Sequence, residues 1–207
     1  MSDKLNLDDL ERQSWRYDAQ DGLAELLAGI LFFFVARAVV DPHLAWVPAL
    51  LIFPMRWAMK FFKERFSYPR IGYVKLKSED GAELGRGMLT YLMLVLVIFV
   101  VGLALLGDIT SWAHWMKWMP ALVGGFCSGG FLYMAQKSRL VRHYFLFVFC
   151  VGWGIACSLM QTPFPLAGLQ RWALGLGLVC LVTGVATFLI FLRTHPRREE
   201  ERSDGHA

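Results

Sequence analysis

Long apolar stretches alternate with short polar segments along most of the chain. Each stretch is apolar without interruption rather than at every second position, which is typical of a transmembrane helix and not of a barrel strand. A helix needs roughly 20 residues to cross about 30 Å of hydrocarbon, and in lipid its backbone groups bond to one another. The pattern therefore predicts an all-α membrane protein, a bundle of about six transmembrane helices. The predicted spans are residues 22–40, 44–61, 88–107, 118–136, 143–161 and 171–192.

The second predicted span leaves an alternative open. It is short and contains Pro48 and Pro54, and proline disrupts helical hydrogen bonding. Asp41-Pro42 favours a tight connection before it, so that the first two spans form an antiparallel hairpin. If residues 44–61 are only re-entrant, the count drops to five and the C-terminus changes sides.

The placement of Lys and Arg distinguishes these two counts. In the six-span arrangement, nearly all of the 21 Lys and Arg residues lie on the side that carries both termini. The exceptions are Arg37, Lys117 and Arg171. Because Lys and Arg accumulate in cytoplasmic loops, this asymmetry favours six spans with both termini in the cytoplasm.

Composition agrees with this class and limits the partners. Hydrophobic residues make up 56% of the chain and charged residues 18%, with a mean hydropathy of +0.44, whereas a soluble domain carries about a quarter charged residues. The formal net charge of +4 follows from cytoplasmic loops rich in Lys and Arg. We therefore expect attraction to anionic headgroups among the membrane lipids, and no nucleic-acid partner.

The chain divides into three parts. Residues 1–21 are polar and acidic and lack a signal-peptide pattern, which predicts a cytoplasmic N-terminal segment. Residues 22–192 are the predicted transmembrane domain, and the charged residues 193–207 are expected to form a disordered cytoplasmic tail. The four cysteines lie in apolar stretches without a Cys-x-x-Cys pair. They are therefore expected to be small core residues, with neither a metal site nor a cofactor.

One segment outside the predicted spans is long enough for structure of its own, the connection at about residues 62–87. Tyr68-Pro69 predicts the end of the preceding helix. Residues 71–77 alternate partly and are typical of a strand, and residues 78–81 are typical of a turn. We expect a short β-hairpin on the cytoplasmic face, where a protein partner would bind.

The same connection carries a resemblance to a known family. The stretch Tyr68-Pro69-Arg70-Ile71-Gly72-Tyr73-Val74 and the Asp21-Gly22 entry to the first span resemble a family of uncharacterised prokaryotic multi-spanning membrane proteins. Members of that family carry a Tyr-Pro-Arg-x-Gly-Tyr-Val-like stretch after their second helix. The resemblance concerns the N-terminal part of the chain. It implies a bacterial inner-membrane location and a similar bundle, but no activity.

Small residues recur at the four-residue spacing that lets helix backbones approach closely. Such pairs occur in the fourth, fifth and sixth predicted spans. They are Gly125 with Gly129, Gly152 with Ala156, and Ala173 with Gly177. We expect them to pack helices within one chain, and formation of a homo-oligomer through one such face is the alternative.

Ionisable residues near the spans are the candidates for function, because a charge at bilayer depth costs at least about 2.5 kcal/mol unless it is paired or hydrated. Glu25 lies about one turn inside the first span, and Asp21 precedes it on the same helical face. The residues expected to face them are Arg70, Arg139, Arg142 and His143. One interpretation is a carboxylate site for a proton or cation. The other, which we favour, is a structural ion-pair network.

The sequence carries no motif that assigns a catalytic activity. Ser128 precedes a glycine in the fourth span but lacks the glycine two residues earlier that intramembrane serine proteases have, and no metal-ligand pair or nucleotide-binding loop occurs. We therefore expect a non-enzymatic accessory or regulatory membrane subunit. The alternatives are a small transporter or channel with a carboxylate site at Glu25, and a lipid-directed membrane enzyme.

Overall fold

The computed structural model describes residues 15–16, 19–71, 81–106, 111–160 and 166–196, and within these ranges it contains helices and no strand. Six long helices cover the six apolar stretches, so the prediction of an all-α fold is confirmed. They are α1 (Leu23–Val40), α2 (Trp46–Phe62), α3 (Gly81–Leu106), α4 (Trp112–Ser138), α5 (Val141–Leu159) and α6 (Ala167–Thr194).

Four of these helices are long and apolar enough to cross a membrane. They are α1, the Leu84–Leu105 part of α3, α5 and α6. Helix α2 has only 17 residues. Helix α4 has 27 residues but carries Lys117 near its start and Lys137 near its end. The sequence predicted six spans, and for α2 and α4 spanning stays a prediction.

The α1–α2 connection is as tight as Asp41-Pro42 predicts. A 3-10 turn, Pro42–Leu44, links the helices, and Asp41 Oδ1 accepts the His43 N–H at 3.1 Å. Because the turn is this short, α2 folds back along α1, and the two helices are in contact. They form the expected antiparallel hairpin.

The predicted helix end at Tyr68-Pro69 is wrong. Helix α2 continues into a π-helical turn, Lys63–Ser67, and a short helix, Tyr68–Ile71. Pro69 is the second residue of that short helix, directly after Tyr68, whose backbone N–H bonds to the Lys63 carbonyl oxygen of the π-helical turn. The predicted strand at 71–77 and turn at 78–81 fall mainly on residues 72–80, which lie outside the described residues. Of their remaining residues, Ile71 and Gly81 are helical.

The helices pack in the order α2, α1, α6, α5, α4, α3. Contacts are most extensive between α1 and α6 and between α4 and α5, while α5 and α4 also contact α6. Helix α2 packs mainly on α1, and α3 packs mainly on α4. Consequently α1, α4, α5 and α6 form the core of the bundle, and α2 and α3 are its outer helices.

Helices that are neighbours in this packing order run antiparallel. Glycines show this for α1 and α6, because Gly22 packs against Gly184 while Gly29 packs against Gly177. A Cβ atom on Gly184 would lie 2.5 Å from the Leu26 nitrogen, which is too close for any side chain. These two crossing points are seven residues apart on each helix, so the backbones touch along two turns.

The backbones of α4 and α5 approach each other equally closely. A Cβ atom on Gly154 would lie 2.7 Å from the Pro120 carbonyl oxygen, and one on Gly124 would lie 2.8 Å from the Cys150 carbonyl oxygen. Trp172 of α6 donates its indole N–H to that same Cys150 carbonyl at 3.2 Å. The buried cluster around these contacts is Ala36, Leu146, Cys150, Cys157, Trp172, Ala173, Leu176 and Cys180. All four cysteines of the chain are free thiols.

The small-residue pairs of the sequence differ in their surroundings. Gly125 contacts Val95 and Gly129 contacts Tyr91, both on α3. Gly177 contacts α1, and Ala173 is fully buried. Gly152 has open space around its Cα, and Ala156 is half-buried. The first and third pairs therefore lie at helix contacts, whereas Gly152 does not.

Candidate functional site

Buried polar side chains collect at one end of the bundle. We call it the polar end, and it is formed by the start of α1, the π-helical turn after α2, the end of α4, the start of α5 and the end of α6. The exposed fraction of Glu25 and Asp21 is 3% each, and that of His143 is 2%. Side chains this polar stay buried only where other polar groups contact them.

The backbone before α1 explains how Asp21 and Glu25 reach the interior. Gly22 has a left-handed conformation, with φ of 69°, and packs against the Gly184 carbonyl of α6. A residue with a Cβ atom would be strained there and would also clash. The chain therefore enters α1 directly against α6, and Asp21 Oδ1 accepts the Leu23 N–H at 3.2 Å.

Glu25 pairs with two consecutive residues of α5. Its Oε1 atom lies 2.8 Å from Arg142 Nε and 2.9 Å from His143 Nε2. The Arg142 N–H is not aligned for a hydrogen bond, so that contact is an ion pair. The Glu25 Oε2 atom is buried without a hydrogen-bond partner among the described residues. One carboxylate oxygen thus fastens α1 to α5.

His143 also contacts the end of α4. Its Nδ1 atom lies 2.9 Å from Ser138 Oγ, and Ser138 Oγ lies 2.6 Å from the Met134 carbonyl oxygen. The tight α4–α5 turn brings these residues together, because Arg139 there has a left-handed φ of 52°. A continuous chain of contacts therefore runs from α4 through His143 to Glu25 on α1.

The remaining contacts at the polar end hold segments outside the core helices. Ser67 donates its hydroxyl to Asp21 Oδ2 at 2.8 Å, which fixes the π-helical turn to the start of α1. Arg70 donates to the carbonyl oxygens of Leu192 and His195 at 3.2 and 2.5 Å, and thereby caps the C-terminus of α6. Arg142 Nη2 donates to the Ala19 carbonyl oxygen.

The structure brings together four of the six residues singled out in the sequence. Glu25, Arg142 and His143 are in direct contact, and Asp21 lies one turn before Glu25. Arg70 is at the same end but bonds to α6 carbonyls. Arg139 supplies the turn, and its side chain is exposed. Of the family-like stretch, Tyr68, Pro69 and Arg70 form the short helix, whereas Gly72 and Tyr73 lie outside the described residues.

Sequence reasoning missed Ser138 and Ser67. Ser138 carried a usable signal, because it stands five residues before His143 at a predicted connection between two spans. Ser67 carried none, since its partner Asp21 is 46 residues away.

The contacts among Ser138, His143, Glu25 and Arg142, which we call the network, connect α4, α5 and α1. Ser138, His143 and Glu25 contact one another in that order. However, Ser138 is only 4% exposed, and its hydroxyl lies against a backbone carbonyl. No group of three or more potential metal ligands occurs among the residues that the structure describes. A groove of about 210 Å³ between α1 and α2 is lined by apolar residues and lies apart from the network; its lining is Leu27, Ile30, Leu31, Leu51, Pro54, Met55 and Ala58.

Comparisons of the chain with protein-family models, with curated proteins and with solved structures find no match.

Proposed function

We propose that this chain is a six-span protein of the bacterial inner membrane, with both termini in the cytoplasm, and that it serves as a non-enzymatic accessory or regulatory subunit. The four helices that are long and apolar enough to cross a membrane support this proposal. The resemblance of the Tyr-Pro-Arg stretch to a prokaryotic family supports the bacterial inner membrane.

The direction of the helices supports the six-span arrangement. Contacts at the polar end join the starts of α1 and α5 to the ends of α2, α4 and α6. Helix α3 runs antiparallel to α4, since Tyr91 meets Gly129 while Phe99 meets Trp115. All six helices therefore alternate in direction. The polar end is also the end rich in Lys and Arg, which favours the cytoplasm for it.

The accessory role is supported by the contacts that the buried polar side chains make within the chain. Asp21, Glu25 and His143 each bond to a different helix or segment of the same chain, as expected of a scaffold. Glu25 Oε1 contacts both Arg142 and His143, which favours the ion-pair interpretation over a transport site. The groove between α1 and α2 is apolar, so it does not form an aqueous path to Glu25.

The outer helices supply the surface for a partner. Helix α3 is largely exposed along its length, with Leu105 81% exposed, and on α2 Trp57 is equally exposed. The connection between these helices follows Ile71, and the neighbouring Arg70 lies at the polar end and bonds to the end of α6. A partner that contacts the connection would therefore also reach α2 and α3. Cytoplasmic Lys and Arg residues at this end would attract anionic lipid headgroups.

Topology is tested with reporter fusions in the full chain. A reporter active only in the cytoplasm should work after His206 and within residues 72–80, and a periplasmic reporter should work after Asp41 and within 161–165. Cytoplasmic activity after Asp41 would show that α1 and α2 do not both span. A periplasmic C-terminus would overturn the six-span count.

The accessory role is tested by site-specific photocrosslinking in cells. A photoreactive residue at Arg65 or at Ala82, both exposed beside the connection, should yield the same protein adduct. A photoreactive residue at Arg171, exposed at the opposite end, is the matched control and should not yield it. Adducts with lipid alone from both positions would contradict a docking role. Adducts with a second copy of the chain would show that this surface binds another copy of the protein rather than a different partner.

A further inference from the structure

We propose that His143 is a reversible proton-binding site, in which rotation of the Ser138 hydroxyl accommodates both protonation states and the proton strengthens the attachment of α1 to α5. This inference uses the side-chain geometry of the polar end and stands independently of the accessory role.

The first step concerns the nitrogen that faces Glu25. A carboxylate oxygen only accepts hydrogen bonds, and Arg142 beside the same oxygen favours the ionised form of Glu25. His143 Nε2, at 2.9 Å from that oxygen, therefore carries a hydrogen in both protonation states. The neutral ring must be the tautomer with its hydrogen on Nε2.

The second step concerns the nitrogen that faces Ser138. The Ser138 hydroxyl has one hydrogen and two acceptors within reach, the Met134 carbonyl oxygen at 2.6 Å and His143 Nδ1 at 2.9 Å. When the hydroxyl donates to Nδ1, the ring is neutral. When it donates to the Met134 carbonyl, Nδ1 can hold a proton of its own and donate to Ser138 Oγ. Either state keeps every heavy atom in place.

The third step concerns the surroundings of the ring. The groups that face the site are Glu25 from α1, Ser138 from α4, Arg142 from α5 and, beside Glu25, the Cys180 thiol from α6. Asp21 lies one turn before Glu25. Ser138, His143 and Glu25 are each less than 5% exposed. Water therefore screens a charge on the ring only weakly, and a charged N–H donor holds Glu25 more firmly than a neutral one.

The consequence is a contact between α1 and α5 that depends on pH. Below the pH at which His143 loses its proton, the ring is a charged donor to Glu25, and the start of α1 is held tightly. Above that pH, the same hydrogen bond persists as a neutral one and is weaker. The Leu23 and Leu26 amides report on this region, because they donate to Asp21 Oδ1 and to the Gly22 carbonyl oxygen.

The direct test is nitrogen NMR of histidine rings in the full chain in lipid nanodiscs, with His143→Gln to assign the signal. The ring should change from both nitrogens protonated to a neutral form with its hydrogen on Nε2. A neutral ring with its hydrogen on Nδ1 would overturn the proposal. A ring that keeps one protonation state wherever the protein is folded would also overturn it.

Hydrogen exchange tests the mechanical consequence. After correction for the intrinsic pH dependence, the Leu23 and Leu26 amides should exchange about fivefold faster once His143 is neutral. In His143→Gln the amide side chain can still donate to Glu25 but does not titrate, so this step should disappear. Persistence of the step in that variant would assign it to another group and contradict the proposal.

Ser138→Ala distinguishes a role of Ser138 in proton binding by His143 from a purely structural contact. It removes the acceptor of the Nδ1 hydrogen, so the protonated fraction of His143 at a given pH should fall. Thr183→Ala is the matched control, because Thr183 also donates to a carbonyl of its own helix, at 2.8 Å, but is not part of the network. Equal effects of the two changes on the His143 signal would overturn the role of Ser138.

Discussion

At the level of single residues, Glu25 shows how a charge is kept inside an apolar bundle. It is 3% exposed and in contact with Arg142 and His143. Bringing these charges out of water is expensive, and their attraction repays that cost only while both signs are present. We therefore expect the pair to contribute more to the choice of one helix arrangement than to net stability.

The losses from removing Glu25 and from removing Arg142 should accordingly not be additive. Glu25→Gln leaves Arg142 without its anion and should lower the free energy of unfolding by about 3 kcal/mol, measured by SDS titration of the protein in mixed micelles. The double variant Glu25→Gln, Arg142→Gln should lose less than the sum of the single variants. Additive losses would mean that the two residues do not interact.

An exposed ion pair supplies the control for this cycle. Lys60 lies 3.7 Å from Glu64, and both side chains are more than half exposed. Lys60→Gln should change the stability by less than about 0.5 kcal/mol. A large loss here would show that the assay responds to charge in general.

At the level of helices, the sequence predicted where each helix lies but not how closely each one packs. Continuous apolarity located all six helices, because a long uninterrupted apolar stretch favours a helix over an alternating strand. The α1–α6 crossing depends instead on Gly22, Gly29, Gly177 and Gly184, whose seven-residue spacing differs from the four-residue spacing used to search for contacts. Their pairing also depends on which helices become neighbours, and no local pattern contains that information.

At the polar end, too, the sequence identified individual residues but not the contacts between them. Glu25 and His143 could be singled out because ionisable residues are rare in apolar stretches. Their actual pairing, and the use of Arg70 on α6 rather than on a carboxylate, depend on the order of the helices around the bundle. The continuation of the chain through Tyr68-Pro69 was missed because the π-helical turn before it has no clear sequence signature.

The closeness of the α1–α6 pair can be tested with one methyl group. Gly184→Ala would place a Cβ atom 2.5 Å from the Leu26 backbone nitrogen, and backbone cannot rotate away. We expect a loss of about 1 to 3 kcal/mol in the free energy of unfolding, measured by the same SDS titration. Gly152→Ala is the matched control, because its Cβ atom meets nothing within 4 Å; it should be neutral or slightly stabilising. Equal effects would mean that α1 and α6 are not in backbone contact.

At the level of the whole molecule, the packing order implies unequal stability. Helices α1, α4, α5 and α6 contribute to a shared buried core, whereas α3 packs mainly on α4. Segments with few contacts open at a lower free energy than segments in the core. Helix α3 should therefore separate from the bundle before the core loses its structure.

Cysteine labelling during SDS titration measures that order directly. The native Cys150 and Cys180 are 0% exposed and report on the core, and Leu103→Cys adds a reporter on α3, where Leu103 is 2% exposed. Since burial is nearly equal at all three positions, differences in labelling should reflect local opening rather than surface access. We expect a maleimide, followed by mass spectrometry, to label position 103 at a lower SDS fraction than Cys150 or Cys180. Labelling of all three at one SDS fraction would instead mean that the bundle unfolds as a single cooperative unit, with α3 as firmly held as the core.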